Sequence, residues 1–214
     1  MAVKVDGRGG HNPACGGANK IVNEVTENRK IHSEVSRLLA ADPFFDYQDT
    51  TPGSIQGSSN DMYHGVSRAN ARGVNLFFST HLNDTAAARV ESAIGTEVLI
   101  YSKSRADISG LCGYAICEEM AKLGFINRGI KTSPQIDGLY EIRNTAMAAM
   151  IIECFFTNSA KDVELYRSLG PEKVAYAIYM GIRRGYKATS QPAGQNPNVI
   201  ERTCANCKNF SPIS

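Results

Sequence analysis

Residues 148–156 read AAMIIECFF, nine residues in which Glu153 is the one charge among apolar side chains. A run this short falls below the length of an ordinary core helix and reads as a strand buried on both faces. Strands covered on both sides belong to sheets flanked by helices, so this stretch sets the class. Working outward, NLFFSTHLND (75–84) is a second apolar strand that ends in polar residues, and EVLIYS (97–102) is a third. MAVKVDGR supplies a strand at the amino terminus, and RGIKT (128–132) and LYEI (139–142) are further strand candidates. Helical patterns lie between them. NEVTENRKIHSEVSRLLAAD (23–42) can gather Val25, Ile31, Val35, Leu38 and Leu39 on one face, and SRANARGV, ADISGLCGYAICEEMAKLG and PEKVAYAIYMGIRRGY are the others. The alternation predicts a single α/β domain with a mostly parallel twisted sheet of about six strands, helices on both faces and a site at the carboxyl ends of the strands. PFFDYQDTTPGSIQGSSNDMYHG (43–65), rich in Pro, Gly, Ser, Asp and Asn, reads as a long polar connection.

Composition narrows the function classes. With 214 residues, 43% hydrophobic and 21% charged, the chain can bury one sizeable core. Twenty-three basic against 21 acidic residues leave a formal net charge of +2, too little for the cationic field that nucleic-acid binding relies on, so nucleic acid is not an expected partner. No stretch approaches the ~18 to 20 apolar residues of a membrane span. MAVKVDGRGG lacks the charged and apolar blocks of a signal peptide, so synthesis in the cytoplasm is expected. Cys15, Cys112, Cys117 and Cys154 read as free thiols. Cys204 and Cys207 form a CxxC with no second pair of ligands before Ser214; the domain is therefore assigned to residues 1–187 and a linker or tail to 188–214.

KVDGRGGHNPACGGA (4–18) follows the first strand and holds one histidine, His11, among glycines that let backbone turn sharply or something approach closely: a phosphate, a metal ion, or nothing. His81 ends the strand LFFSTHLN, Glu153 sits inside MIIECFF, and Glu24 opens the first helix. Two imidazoles and a carboxylate, with a fourth position left to water, form a catalytic zinc arrangement, and a second carboxylate near that water serves as general base. Spacing alone does not establish it, because no HExxH-type helix ties two ligands together. Glu153 within an apolar strand is costly without a cation or metal for company. His32 and His64 read as surface or packing residues.

The segments GRGGHNPACGGANKIVNE, RANARGVNLFFSTHLN, GFINRGIK and IIECFFTN occur in the order and spacing seen in the zinc-dependent N-acetylmuramoyl-L-alanine amidases of the Amidase_3 type, especially clostridial and phage lysins. The resemblance spans residues 3 to 186. It implies zinc (Zn²⁺) on His11, Glu24 and His81, with Glu153 as the catalytic glutamate. It also implies a doubly covered, mostly parallel sheet and cleavage of the amide between N-acetylmuramic acid and L-alanine in peptidoglycan. Two departures stand out: GGHN replaces the family's GHGG, and the proline that commonly precedes the catalytic glutamate is missing from TAMAAM. Glu27 and Glu34 compete with Glu24 for the carboxylate role, and Glu24 with Asn28 meets the family's Glu-x-x-x-Asn spacing. Arg143 and Asn144 are candidates to contact the stem peptide or support Glu153, with a structural salt bridge as the alternative; Arg128 and Lys131 either meet acidic groups of the wall peptide or are solvated. The expected enzyme is a monomer without a membrane span that acts on the wall after release at lysis. A zinc peptidase acting on the stem peptide and a catalytically silent wall-binding module are the other readings; the lack of Trp and of repeats argues against the module.

Overall fold

The computed structural model describes residues 1–53, 57–104 and 107–189. Its strands are β1 (Val3–Gly9), β2 (Phe45–Asp49), β3 (Leu76–Asn83), β4 (Thr96–Ile100), β5 (Asn127–Lys131) and β6 (Ala148–Phe156), in one sheet of order β2-β1-β3-β6-β4-β5. Neighbours run parallel except β4 and β6, which are antiparallel. The expected class and strand number hold. Membership differs: β2 lies within the stretch read as a polar connection, and LYEI is not a strand. Only Phe45 of β2 is buried, because β2 is an edge strand paired on one side, and its exposed polar residues hid it. After the short helix α4 (Pro134–Asp137), Tyr140–Arg143 instead forms a helical turn, α5, whose Ile142 enters the core while Glu141 turns inward to polar partners.

Alternate residues of β3 and β6 feed two separate cores. Phe78 and Ile152 point toward helices α1 (Glu24–Ala41), α3 (Ile108–Lys122) and α7 (Pro171–Thr189), where they meet Ile31, Val35, Ile116, Met120 and Ile178. Phe77 and Ile151 point the other way, toward α2 (Ser58–Arg72) and α5, where they meet Val66, Ala69 and Ile142. This two-sided burial is why β6 carries an uninterrupted apolar run. Helix α6 (Ala160–Leu169) escaped the sequence pattern because Val163 and Tyr166 are its only buried apolar residues; Ser159 caps it by accepting from the Asp162 N–H. Cys112, Cys117 and Cys154 are buried as thiols. No described helix is long and apolar enough to cross a membrane. Residues 190–214, with Cys204 and Cys207, lie outside the described residues.

Candidate metal centre

The parallel pairing of β3 with β6 sets His81 beside Glu153, and the antiparallel pairing of β4 with β6 sets Glu97 beside Glu153. A row of His81, Glu153 and Glu97 therefore crosses three adjacent strands on the α2 and α5 side of the sheet. Arg128 of β5 extends it, donating from Nε to Glu97 Oε2 at 2.7 Å, while Asn83 Nδ2 donates to Glu97 Oε1 at 2.9 Å. Glu153 is half-buried, but its Oε2 is shut off from solvent and has no hydrogen-bond partner among the described residues.

Two further groups come to this row from the loop after β1 and from the first turn of α1. Glu24 is buried, and two backbone N–H groups fix its carboxylate: Ala18 donates to Oε2 (2.8 Å) and Leu82 to Oε1 (3.1 Å). The same Oε1 lies 3.1 Å from His81 Nδ1 and 3.5 Å from His11 Nε2. Donor atoms bound at ~2.1 Å to one tetrahedral ion stand ~3.4 Å apart, so this spacing fits such an ion. Among the described residues, His11, Glu24 and His81 form the group whose ligand atoms lie within 4.8 Å of one another. Glu27 and Glu34 are elsewhere: Glu27 holds Lys30 and the Tyr166 hydroxyl, and Glu34 holds Arg37.

The glycines make room for these side chains. A Cβ on Gly10 would fall 2.1 Å from His81 Cε1, and one on Gly17 would fall 2.1 Å from Glu24 Oε2 and 2.6 Å from the His11 ring. Gly10→Ala and Gly17→Ala are each expected to destabilise the fold by about 1–3 kcal/mol through overpacking, read by urea unfolding. His11 itself has φ of 54°, the left-handed region; Arg29 Nη2 donates to its carbonyl and holds the turn. Asn28 Nδ2 donates to Gly10 O (3.2 Å) and Thr80 O (2.7 Å), tying the ends of β1 and β3. His32 is a buried packing residue between Thr80 Oγ1 and Asp49 Oδ1, each 3.2 Å away, and His64 is exposed on α2.

Electrostatics match a site short of positive charge. Burial and the neighbouring His81 hold the His11 imidazole below its ordinary pKa, and so neutral and able to ligate. For Glu24 burial alone would raise the pKa, but the hydrogen bond and charge of His81 bring it below the ordinary value. Burial opposes a charge on His81, yet Glu141 and Glu24 outweigh it and carry its pKa up to about 10. Burial pushes Glu153 up to about 7, with His81 pulling it back. With Glu141 already paired to the buried Arg8, Glu24 and Glu153 are the carboxylates that crowd the two imidazoles, and a dication between His11, Glu24 and His81 would balance them.

Sequence reasoning missed Glu141. Its Oε2 lies 3.6 Å from His81 Nε2 and accepts from Ser79 Oγ at 3.0 Å, while Oε1 accepts from the buried Arg8 guanidinium. A charge inside the otherwise apolar LYEI was the available signal. Its neighbours Arg143 and Asn144 do otherwise: Arg143 is exposed, and Asn144 joins α5 to α2 by accepting from Asn70 Nδ2 at 2.8 Å.

The family model for N-acetylmuramoyl-L-alanine amidase, Amidase_3, matches residues 4–184. The chain belongs to this family. It is 34% identical over 205 residues to the uncharacterized protein CPE1502 of Clostridium perfringens (strain 13 / Type A), covering 94% of this chain and 58% of that protein. An uncharacterized 38.4 kDa protein of Clostridium perfringens is 33% identical over 181 residues, covering 84% and 51%. The chain thus spans about half the length of these curated relatives. In fold it is similar to the catalytic domain of the CD27L endolysin targeting Clostridia difficile (TM-score 0.70, 24% identity, 85% of this chain and 97% of that one). The N-acetylmuramoyl-L-alanine amidase of Clostridium difficile 630 gives TM-score 0.73 at 19% identity, over 87% and 98%. With both it shares a fold, which in this chain is a single sheet wrapped by helices.

Proposed function

We propose that this amidase-family chain hydrolyses the amide between N-acetylmuramic acid and L-alanine in peptidoglycan, with zinc held by His11, Glu24 and His81 and with Glu153 as general base. The observation that carries the reading is the convergence of those three ligating groups beside Glu153, whose Oε2 is buried without a partner. An N, N, O donor set is one that zinc accepts while keeping a position open. Bound there, the ion supplies Lewis acidity, lowering the pKa of a water and polarising the scissile carbonyl. Glu153 takes the proton of the attacking water and delivers it to the departing L-alanine amine. Burial raises its pKa, which favours taking up the water's proton, and a bound cation draws it back down, which favours handing the proton on. Ala18 and Leu82 keep Glu24 in place by their N–H groups, and Arg29 secures the His11 turn. Arg128, paired with Glu97 at the far end of the row, is our candidate to meet an acidic group of the stem peptide. The catalytic unit is residues 1–187, since all four groups lie upstream and α7 closes the core.

Digestion of purified peptidoglycan tests the reading. New L-alanine amino termini, no new reducing sugars, and loss of activity with chelator followed by recovery with Zn²⁺ are the expected results. New amino termini from residues further along the stem would establish a peptidase instead, and no products at all would establish a binding module.

A further inference from the structure

We propose that Glu141 is a positioning residue for His81: it receives the Nε2–H of that imidazole and so holds Nδ1 toward His11 and Glu24. The assignment rests on the metal reading above. His81 presents its two nitrogens to different surroundings. Nδ1 lies 3.1 Å from Glu24 Oε1 on the side of His11, and Nε2 is buried, unpartnered and 3.6 Å from Glu141 Oε2. A histidine that ligates through one ring nitrogen commonly gives the other to a carboxylate, which fixes both tautomer and ring plane.

Glu141 is itself immobilised. Ser79, two residues before His81 on β3, donates to its Oε2, and Arg8 on β1 donates to its Oε1. Arg8, 1% exposed, also donates to Asp61 of α2, and Asp61 Oδ1 accepts from Asn12 Nδ2 at 2.8 Å. The result is a buried polar circuit, Asn12–Asp61–Arg8–Glu141, that runs from the residue after one imidazole to within 3.6 Å of the ring of the other. Apolar side chains of similar volume would serve stability at least as well as such buried ion pairs. What they would not supply is an acceptor aimed at Nε2. Ile142, the next residue, is buried in the same core cluster as Phe77 and Ile151.

The test is competition for Zn²⁺ against a chromophoric chelator, with the absorption spectrum of the Co²⁺-loaded protein as a second readout, on the full chain and on Glu141→Ala and Glu141→Gln. Glu141→Ala should bind Zn²⁺ about 10- to 100-fold more weakly and shift the cobalt bands, since the ring loses its outer partner. Glu141→Gln, which keeps an acceptor oxygen and the shape, should recover part of that loss; it also carries the test if the alanine variant does not fold. Variants with wild-type affinity and wild-type cobalt spectrum, whatever their thermal stability, would overturn the assignment and leave the metal reading standing. A wild type that takes up neither ion would sink the metal reading and this assignment with it.

Discussion

Glu153→Gln is expected to lower the rate of peptidoglycan hydrolysis by about 10²- to 10⁴-fold, the range typical of a general base, while metal content measured by elemental analysis stays at the wild-type level. The amide keeps the size of the carboxylate but accepts no proton, and Glu153 lies across the strand pairing from His81, not among the three ligating groups. The pH dependence follows with a definite sign. The base works only when ionised, so wild-type activity falls as pH drops through its pKa; burial places that value at about 7 in the metal-free site, and a bound cation moves it lower. The residual activity of Glu153→Gln should lack this acid limb. Stability moves the other way. A carboxyl whose folded pKa is raised disfavours the folded state once ionised, and the penalty grows as pH rises from the ordinary value of 4.5 to about 7. The metal-free Gln variant is therefore expected to equal the wild type in urea at pH 4 and to exceed it at pH 8. Near-wild-type turnover with full metal content would remove Glu153 from the role of base.

Glu24→Gln, by contrast, is expected to lose metal and activity together. Its carboxylate is the point where the two histidines meet, and both of its oxygens also accept backbone N–H groups, from Leu82 and from Ala18. A glutamine offers one oxygen for these tasks and turns its NH₂ group against an N–H donor. The fall in Zn²⁺ affinity should exceed the ~10- to 100-fold that loss of an outer partner causes, since an anionic ligand itself is gone. Dialysis against a weak chelator followed by metal analysis separates the two variants: Glu153→Gln retains its ion and Glu24→Gln does not. Glu27→Gln is the control from the same helical turn. Glu27 faces Lys30 and Tyr166, so its metal content should match the wild type.

Much of this site was open to reading in the chain because each residue sits at a recognisable local feature. His11 follows the first strand within a glycine run, Glu24 begins an amphipathic helix behind the cap Asn23, His81 ends one apolar strand and Glu153 interrupts another. The preference for Glu24 over Glu27 and Glu34 came from the resemblance, through the Glu-x-x-x-Asn spacing with Asn28, and not from the helical pattern. All three lie on α1, and the approach of Leu82 and Ala18 gives the physical reason why this carboxylate faces the histidines. Glu141 lay further from reach: LYEI has a strand's composition, and nothing near it in sequence signals that Arg8, 133 residues earlier, waits to receive a carboxylate.

The sequence by itself determined the elements whose burial is one-sided or complete. Continuous apolar runs at β3 and β6 and the periodic faces of α1 and α7 leave little freedom, because hydrophobic period and secondary-structure period must agree for the surface to be buried. Tertiary structure alone decided the rest. Edge strand β2 takes its conformation from pairing with β1 rather than from its own side chains, β4 runs against β6, and α5 is helical because that puts Ile142 in the core and Glu141 against Arg8. The convergence of His11, Glu24, His81 and Glu153 belongs to this second class. It depends on strand register, in which a slip of one residue would turn His81 or Glu153 to the opposite face of the sheet, and register is set by the two packed cores together and by no short stretch of chain.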